Sequence, residues 1–285
     1  MPALMHIAES LPEEERNMRI HAGDILVFRG PPRMSELLEL LRSHCCRFLG
    51  SDPEQIHSRE PAAAIEARLE HLRAELRRDE RIGWAWHAVI EALGADTGNT
   101  YGDGVVVRGQ PPQNAAGGVR TAPLSAHRDT WGSNIAAQTN WWAPLYTTTP
   151  ERTLVLYPGY FDNPVANDSA GWDFRAMIRA QQTEPAGDYP LLPTVTATPP
   201  AHMALPISLC PGDLLCFSGA HLHASAPNMT DRTRLSFETR TVNGADIESG
   251  RGAPNVDGNA RCTTYQLFRH IENRRPLGAL LPSMD

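Results

Sequence analysis

The chain has 285 residues, with 26 basic and 33 acidic side chains, a formal net charge of −7 and 41% hydrophobic residues. That is enough apolar material for one globular domain with a buried core. The two signs of charge are interspersed through most of the chain, which excludes a broad basic footprint for nucleic acid or anionic membrane and makes a small molecule the expected partner. The opening stretch MPALMHIAESLPEEERNM lacks the basic start and uninterrupted apolar run of a signal peptide. No later segment approaches the ~18 apolar residues that span a bilayer, so a cytoplasmic setting is expected. Five cysteines, two of them adjacent at Cys45 and Cys46 and none in a CxxC pair, make neither a disulfide framework nor a zinc site.

In chain order, the segment 20–29 reads as a short strand launched by the Gly23-Asp24 turn. A helix is expected from about Ser35 to Leu49, with Leu37, Leu38, Leu41 and Phe48 as its apolar members, and Ser51-Asp52-Pro53 interrupts it. From Pro61 to about Glu80 a second helix is expected, because proline suits a first turn and Ala62, Ile65, Leu69, Leu72 and Leu76 recur at steps of three and four. Its other face is densely charged and therefore solvated. The apolar seam packs on its own domain in the first reading and forms a homodimer contact in the alternative. Residues 84–93 continue in a helical pattern, and the Gly-, Asp- and Asn-rich stretch 94–104 ends it.

From Gly104 the pattern changes to short strand-like runs at 105–108, 138–146, 152–158, 207–210, 213–217 and 234–242, divided by Pro and Gly. Such spacing argues for an antiparallel sandwich or barrel rather than alternating βαβ units. The stretch 163–204 is too long and irregular for a hairpin loop, and insertions of this kind are commonly lids or binding loops. The expected organisation is a single domain over 1–285. It comprises an N-terminal helical support with a short leading strand (1–103), a strand-rich core (104–245) holding the insertion, and a C-terminal extension (246–285).

The first chemically suggestive cluster is SAHRDTW, where His127 and Asp129 stand two residues apart; on a strand, both side chains would share a face. A third ligand is offered by PGDLLCFSGAHLHASAPN, an apolar strand ending on His221 and His223. Two imidazoles and one carboxylate on one face of an octahedron leave three positions open, the set that suits iron(II) in oxygen-activating enzymes. Zinc would ask for a closed or nearly closed tetrahedral set. Arg234 and Ser236 lie on one face of the last strand with Glu238 and Arg240, while Leu235 and Phe237 share the other. A 2-oxoglutarate co-substrate that chelates the metal through its keto oxygen and C1 carboxylate needs its distal carboxylate neutralised. An arginine does this best, through paired hydrogen bonds, and a serine hydroxyl adds a donor. Gln138 and Asn140, alternating on one strand face, are candidates to bond the C1 carboxylate or a polar substrate group, with a structural role as the alternative. Trp131, Trp141, Trp142, Tyr160 and Trp172 are candidates for the pocket wall, against a core role. Arg108 and Arg175 are candidates for an acidic substrate group, against a surface role.

Taken together, HRD at 127–129, ERTLVLYPGYF at 151–161, PGDLLCF, HASAPN and RTRLS, in that order, resemble the iron(II)/2-oxoglutarate-dependent oxygenase superfamily, and within it the phytanoyl-CoA dioxygenase-like branch. The resemblance covers roughly residues 104–242. It implies a mainly β fold with bracing helices, a double-stranded β-helix (a cupin-like jelly-roll) with the metal at its mouth. It also implies iron(II), 2-oxoglutarate and O2 as the reacting set. The family's distal histidine opens a phrase like HASAPN with the co-substrate arginine eleven positions on, which selects His223 and Arg234 and makes His221 a neighbour of the site. Asp129 disfavours halogenation, so hydroxylation of an unactivated C–H bond of a small metabolite is the leading outcome; desaturation, cyclisation and epimerisation share the same ligands. Tyr160 and Phe161 depart from the Ser-His that closes the family's PGSH segment, and the long insertion is a second departure, so the substrate wall is not transferable. The alternative from another class is a non-oxidative, cupin-like metal-binding sensor or isomerase, which has no use for an Arg-x-Ser pair.

Overall fold

Ile25 to Phe28 are apolar at every position, and a strand of that kind is stable only when both its faces are covered. The computed structural model, which describes residues 2–115, 117–118, 121–182 and 189–280, covers both. In chain order the elements are β1 (Leu4–Ile7), α1 (Glu13–His21), β2 (Ile25–Phe28), α2 (Met34–Leu49), α3 (Ala62–Arg78), α4 (Glu80–Ala92), β3 (Thr100–Gly102), β4 (Val106–Gln110) and α5 (Thr130–Ser133). They continue with β5 (Thr139–Pro144), β6 (Leu154–Leu156), α6 (Phe174–Gln181), β7 (Leu205–Ile207), β8 (Leu214–Ser218), β9 (His223–Ser225), β10 (Arg234–Asn243), α7 (Gly244–Ser249) and β11 (Arg269–His270).

The larger sheet has the order β1-β2-β8-β5-β10-β3-β11, with β4 also paired to β10. All of its pairings are antiparallel except β1 with β2. The smaller, antiparallel sheet runs β7-β6-β9. Strand alternation sorts the side chains into layers. Leu26, Phe28, Trp141, Cys216, Leu235 and Phe237 pack with the apolar residues of α2, α3 and α4 in one core cluster. Ile25, Val27, Trp142, Leu215 and Phe217 point the other way, against Leu154, Leu156 and Ile207 of the smaller sheet. The architecture is therefore helices, large sheet, small sheet.

The expected helices at 35–49, 61–80 and 84–93 are α2, α3 and α4, the last starting earlier because Asp79 accepts the Arg81 backbone N–H as an N-cap. The seam of α3 points inward: Ile65, Leu69, Leu72 and Leu76 are buried in the main core, each such side chain contributing roughly 1.5–3 kcal/mol. The homodimer contact expected there as the alternative therefore has no exposed seam to use. The strand expected at 207–210 is shifted to Leu205–Ile207. Beyond it, the backbone N–H and carbonyl of Leu209 bond the Thr148 hydroxyl, a side-chain partner that ends the ladder. The N-terminal segment supplies more sheet than one leading strand, since β1, β2 and β3 all join the large sheet. No helix among the described residues is long and apolar enough to cross a membrane.

Candidate metal centre

His127 forms an isolated antiparallel bridge with His223, each backbone N–H donating to the other's carbonyl at 2.9 Å. The strand expected to run through His127 and Asp129 ends there. Asp129 has φ −62° and ψ −32°, helical values, and opens α5. The turn is fixed by Arg128, whose buried guanidinium donates to the carbonyls of Ala220, Tyr160 and Asn163 and pairs with Asp257 at 3.1 Å. His127 and Asp129 therefore converge through a bridge and a helical turn rather than through strand alternation.

One ligand atom each from His127, Asp129 and His223 lies within 4.8 Å of the others. His127 Nδ1 lies 2.8 Å from the Ser125 carbonyl, and His223 Nδ1 lies 3.0 Å from that of His221. A proton on each Nδ1, donated to those carbonyls, leaves both Nε2 lone pairs facing the cluster, the usual outer support of a metal-binding imidazole. Asp129 divides its oxygens. Oδ1 is 3.5 Å from His127 Nε2, while Oδ2 accepts N–H groups from Gln138 at 3.1 Å, Asn140 at 2.8 Å and Arg240 at 2.9 Å. The donor set, two imidazole nitrogens and one carboxylate oxygen with no fourth His, Cys, Asp or Glu ligand in the cluster among the described residues, fits iron(II).

Electrostatics keep this set ready for a cation. Burial pushes His223 down to about 3, helped by the neighbouring His127, and burial pushes His221 down to about 4. Burial alone would raise Asp129, but Arg240 and the two histidines hold its carboxyl well below the usual carboxylate range. A consequence is testable in the metal-free protein. The unfolded chain binds protons at about pH 6.5 that the folded His221 and His223 refuse, so stability falls as pH drops from about 6.5 toward 4, by an amount on the order of several kcal/mol. Asp129, whose folded value is depressed, adds to the loss at still lower pH. Thermal melting between pH 7.5 and about 4 should show this slope, and His221→Phe, which removes one titrating group, should flatten it; equal slopes in the two proteins would count against the assignment.

Arg234 lines the same cavity and is buried. It donates to the Thr153 carbonyl at 2.9 Å and to Ser225 Oγ at 3.4 Å, and it forms no ion pair among the described residues. Among the described residues its Nε is buried without a partner, as is the hydroxyl of Ser236, which stands two residues on along β10 but does not itself line the cavity. Burial, with Arg108 nearby, pushes the guanidinium down to about 9, which leaves it a cation at neutral pH with only neutral partners. A buried cation and an adjacent orphaned hydroxyl are the chemistry of a carboxylate site.

The remaining candidates separate. Asn140 lines the cavity, but Gln138 and Asn140 spend their amide N–H groups on Asp129, with Gln138 also donating to Asn140 Oδ1 at 2.8 Å. The charged acceptor nearest them belongs to the protein itself. Arg108 lines the cavity 3.9 Å from Glu238, and Trp142 contributes wall. Trp131 is fully buried in a separate apolar cluster and donates its indole N–H to Asp257 at 2.6 Å. Tyr160 packs at the edge of that cluster, and Trp172 donates to the Pro190 carbonyl. None of these three lines the cavity, because the space around them is filled by the insertion and by the segment around Asp257. Arg175 is exposed in a surface groove with Arg179 and Arg261, away from the metal cluster. Residues 183–188 of the insertion lie outside the described residues. His221 is outside the ligand cluster, its Nε2 2.9 Å from the Gly23 carbonyl. Sequence reasoning missed Arg240, which it placed on the correct face without a partner, and Asp257, for which no local signal exists.

No family model matches the chain, and no curated protein matches it. Solved structures do. EvdO2 from Micromonospora carbonacea var. aurantiaca, complexed with 2-oxoglutarate, is 16% identical with a TM-score of 0.48, over 84% of this chain and 94% of that one. The epimerase SnoN, in complex with Fe3+, alpha ketoglutarate and nogalamycin RO, is 16% identical with a TM-score of 0.45, over 95% and 91%. The non-heme monooxygenase ThoJ is 15% identical with a TM-score of 0.41, over 76% and 72%. With TM-scores below 0.5, these likenesses do not bear on what this chain binds or does.

Proposed function

We propose that the chain is a non-haem iron(II) oxygenase that consumes 2-oxoglutarate and O2 to oxidise a C–H bond of a small metabolite, with hydroxylation as the leading outcome. The observation that carries this reading is the pairing, in one cavity, of a two-histidine, one-carboxylate cluster with a buried arginine that has no carboxylate of its own. His127, Asp129 and His223 would hold the iron; Arg234 and Ser236 would hold the distal carboxylate of the co-substrate. When bound, iron would activate O2, the oxidant, which takes two electrons from 2-oxoglutarate as that is converted to succinate and carbon dioxide and two from the substrate. The chain's own part is placement and dryness. Trp142, Leu154 and Phe217 wall the cavity with apolar surface, which strengthens every charge contact inside it. A double-stranded β-helix is supported by the two facing sheets and by the His127–His223 bridge, which adds to the smaller one. Five free thiols suit a reducing, cytoplasmic setting.

Anaerobic titration with iron(II) and then 2-oxoglutarate is expected to develop the weak visible charge-transfer band of the chelate. Succinate release under air should then be stimulated by one class among amino acids, acyl thioesters and terpenoid or alkaloid metabolites. A protein that binds iron(II) but never develops the band is a non-oxidative metal-binding barrel instead. Product analysis on the stimulating class separates hydroxylation from desaturation, cyclisation and epimerisation.

A further inference from the structure

Asp129 is held by more than the backbone. Its Oδ2 accepts three N–H groups, from Gln138, Asn140 and Arg240, while Oδ1 alone faces the histidines. Two of the donors are set by the sheet itself, since Asn140 on β5 and Arg240 on β10 are directly opposed in register. Arg240 is in turn gripped from behind by Asp103. That carboxylate accepts the Arg240 backbone N–H at 2.8 Å and its Nη1 at 2.8 Å, while the Asp103 N–H donates to the Arg240 carbonyl at 3.2 Å. A guanidinium fixed at both ends cannot follow Asp129 if the carboxylate rotates.

From this geometry we infer that Arg240, anchored by Asp103, is the positioning residue that keeps Asp129 a one-oxygen ligand. The inference rests on the metal-centre reading above. Its consequence is coordinative. A carboxylate bound through both oxygens would occupy a second metal position, and the three positions needed by a chelating keto acid and oxygen would fall to two. With Oδ2 saturated by three donors, one of them charged, rotation into two-oxygen binding would strip hydrogen bonds from a buried site and take from Arg240 one of the carboxylates that balance its charge, leaving Asp103 and the nearby Glu238. Asp103 lies between β3 and β4, far in sequence from both ligand segments, so the control reaches the metal through the sheet.

The test uses full-length protein, cobalt(II) alone as a spectroscopic probe, and then iron(II) with 2-oxoglutarate. In Arg240→Gln, cobalt affinity is expected to fall about 10- to 100-fold, as for other outer partners of metal ligands. The ligand-field spectrum should change shape, because the number of bound oxygens changes. Succinate turnover at saturating 2-oxoglutarate should fall by a comparable factor, while the KM for 2-oxoglutarate, set by Arg234, moves less than about threefold. Arg240→Lys should recover part of the affinity, since an ammonium still donates to Oδ2 but cannot also span to Asp103. Asp103→Asn keeps the shape without the charge and should show a smaller change of the same kind. A folded Arg240→Gln protein with wild-type cobalt affinity and spectrum overturns the inference. If that variant does not fold, an Asp103→Asn protein indistinguishable from wild type overturns it equally. Wild-type protein that binds neither ion sinks the metal-centre reading itself, a result distinct from either.

Discussion

Alanine at His223 is expected to weaken iron(II) binding by more than the roughly 100-fold that marks the loss of an outer partner, whereas alanine at His221, two residues away, should leave affinity within a few fold. Both imidazoles are buried, and both sit beside Phe217, so burial and packing do not separate them. Hydrogen bonding does. His221 directs Nε2 to the Gly23 carbonyl and packs at a tilt against Phe161, with ring centroids 4.6 Å apart. His223 turns Nδ1 to the His221 carbonyl and leaves Nε2 to the cluster with His127 and Asp129. The His221→Ala protein should therefore lose stability, by about 2–4 kcal/mol for a buried ring and its hydrogen bond, without losing metal. Anaerobic iron titration read beside thermal melting distinguishes the two effects. Metal loss in His221→Ala with retention in His223→Ala would move the site by two residues, and the eleven-residue step that selects Arg234 would lose its origin.

What the sequence discloses about this protein depends on how local each cause is. Strand alternation is local, so β5 and β8 are visible as runs whose alternate residues divide between the helices and the small sheet, and β10 as a strand with Leu235 and Phe237 toward the helices and polar residues on its other face. The seam of α3 is visible for the same reason. Strand β1, with its half-exposed Leu-Met-His-Ile, carries no such pattern; its pairing with β2 comes from the chain's return through α1. Strand β9 is only three residues long, and its partner Leu156 lies far upstream. At the site, residue types and spacing single out His127, Asp129 and the His221/His223 pair, but not the backbone that brings them together. Arg128 draws its segment inward to carbonyls at 160, 163 and 220, contacts made from remote parts of the chain, and so the expected strand becomes a turn. Gln138 and Asn140 stand on the anticipated face, and their partner is Oδ2 of Asp129, the carboxylate oxygen turned away from the histidines. Periodicity says which way a side chain points; only tertiary structure says what it meets.

Replacing Arg234 by methionine is expected to raise the KM for 2-oxoglutarate by about 30- to 160-fold, the equivalent of roughly 2–3 kcal/mol for a charge-assisted hydrogen-bonding contact, with iron(II) affinity unchanged. The sign of the stability change is the more discriminating result. Arg234 is a buried cation with neutral oxygens as its hydrogen-bond partners. In the absence of an anion it is a cost to the fold, which is why burial pushes it down to about 9. Methionine fills much of the same volume without the charge, so the variant should melt at the wild-type temperature or above it when no co-substrate is present. Added to the iron-loaded wild type, 2-oxoglutarate should raise the melting temperature by mass action; added to the variant, it should do so only at far higher concentration. A variant with unchanged KM would shift the carboxylate contact to Arg108, the other cavity arginine without a short ion pair. A variant that simply unfolds would show that the Thr153 and Ser225 contacts outweigh the buried charge, and Arg234 would then be a structural cation rather than a waiting one.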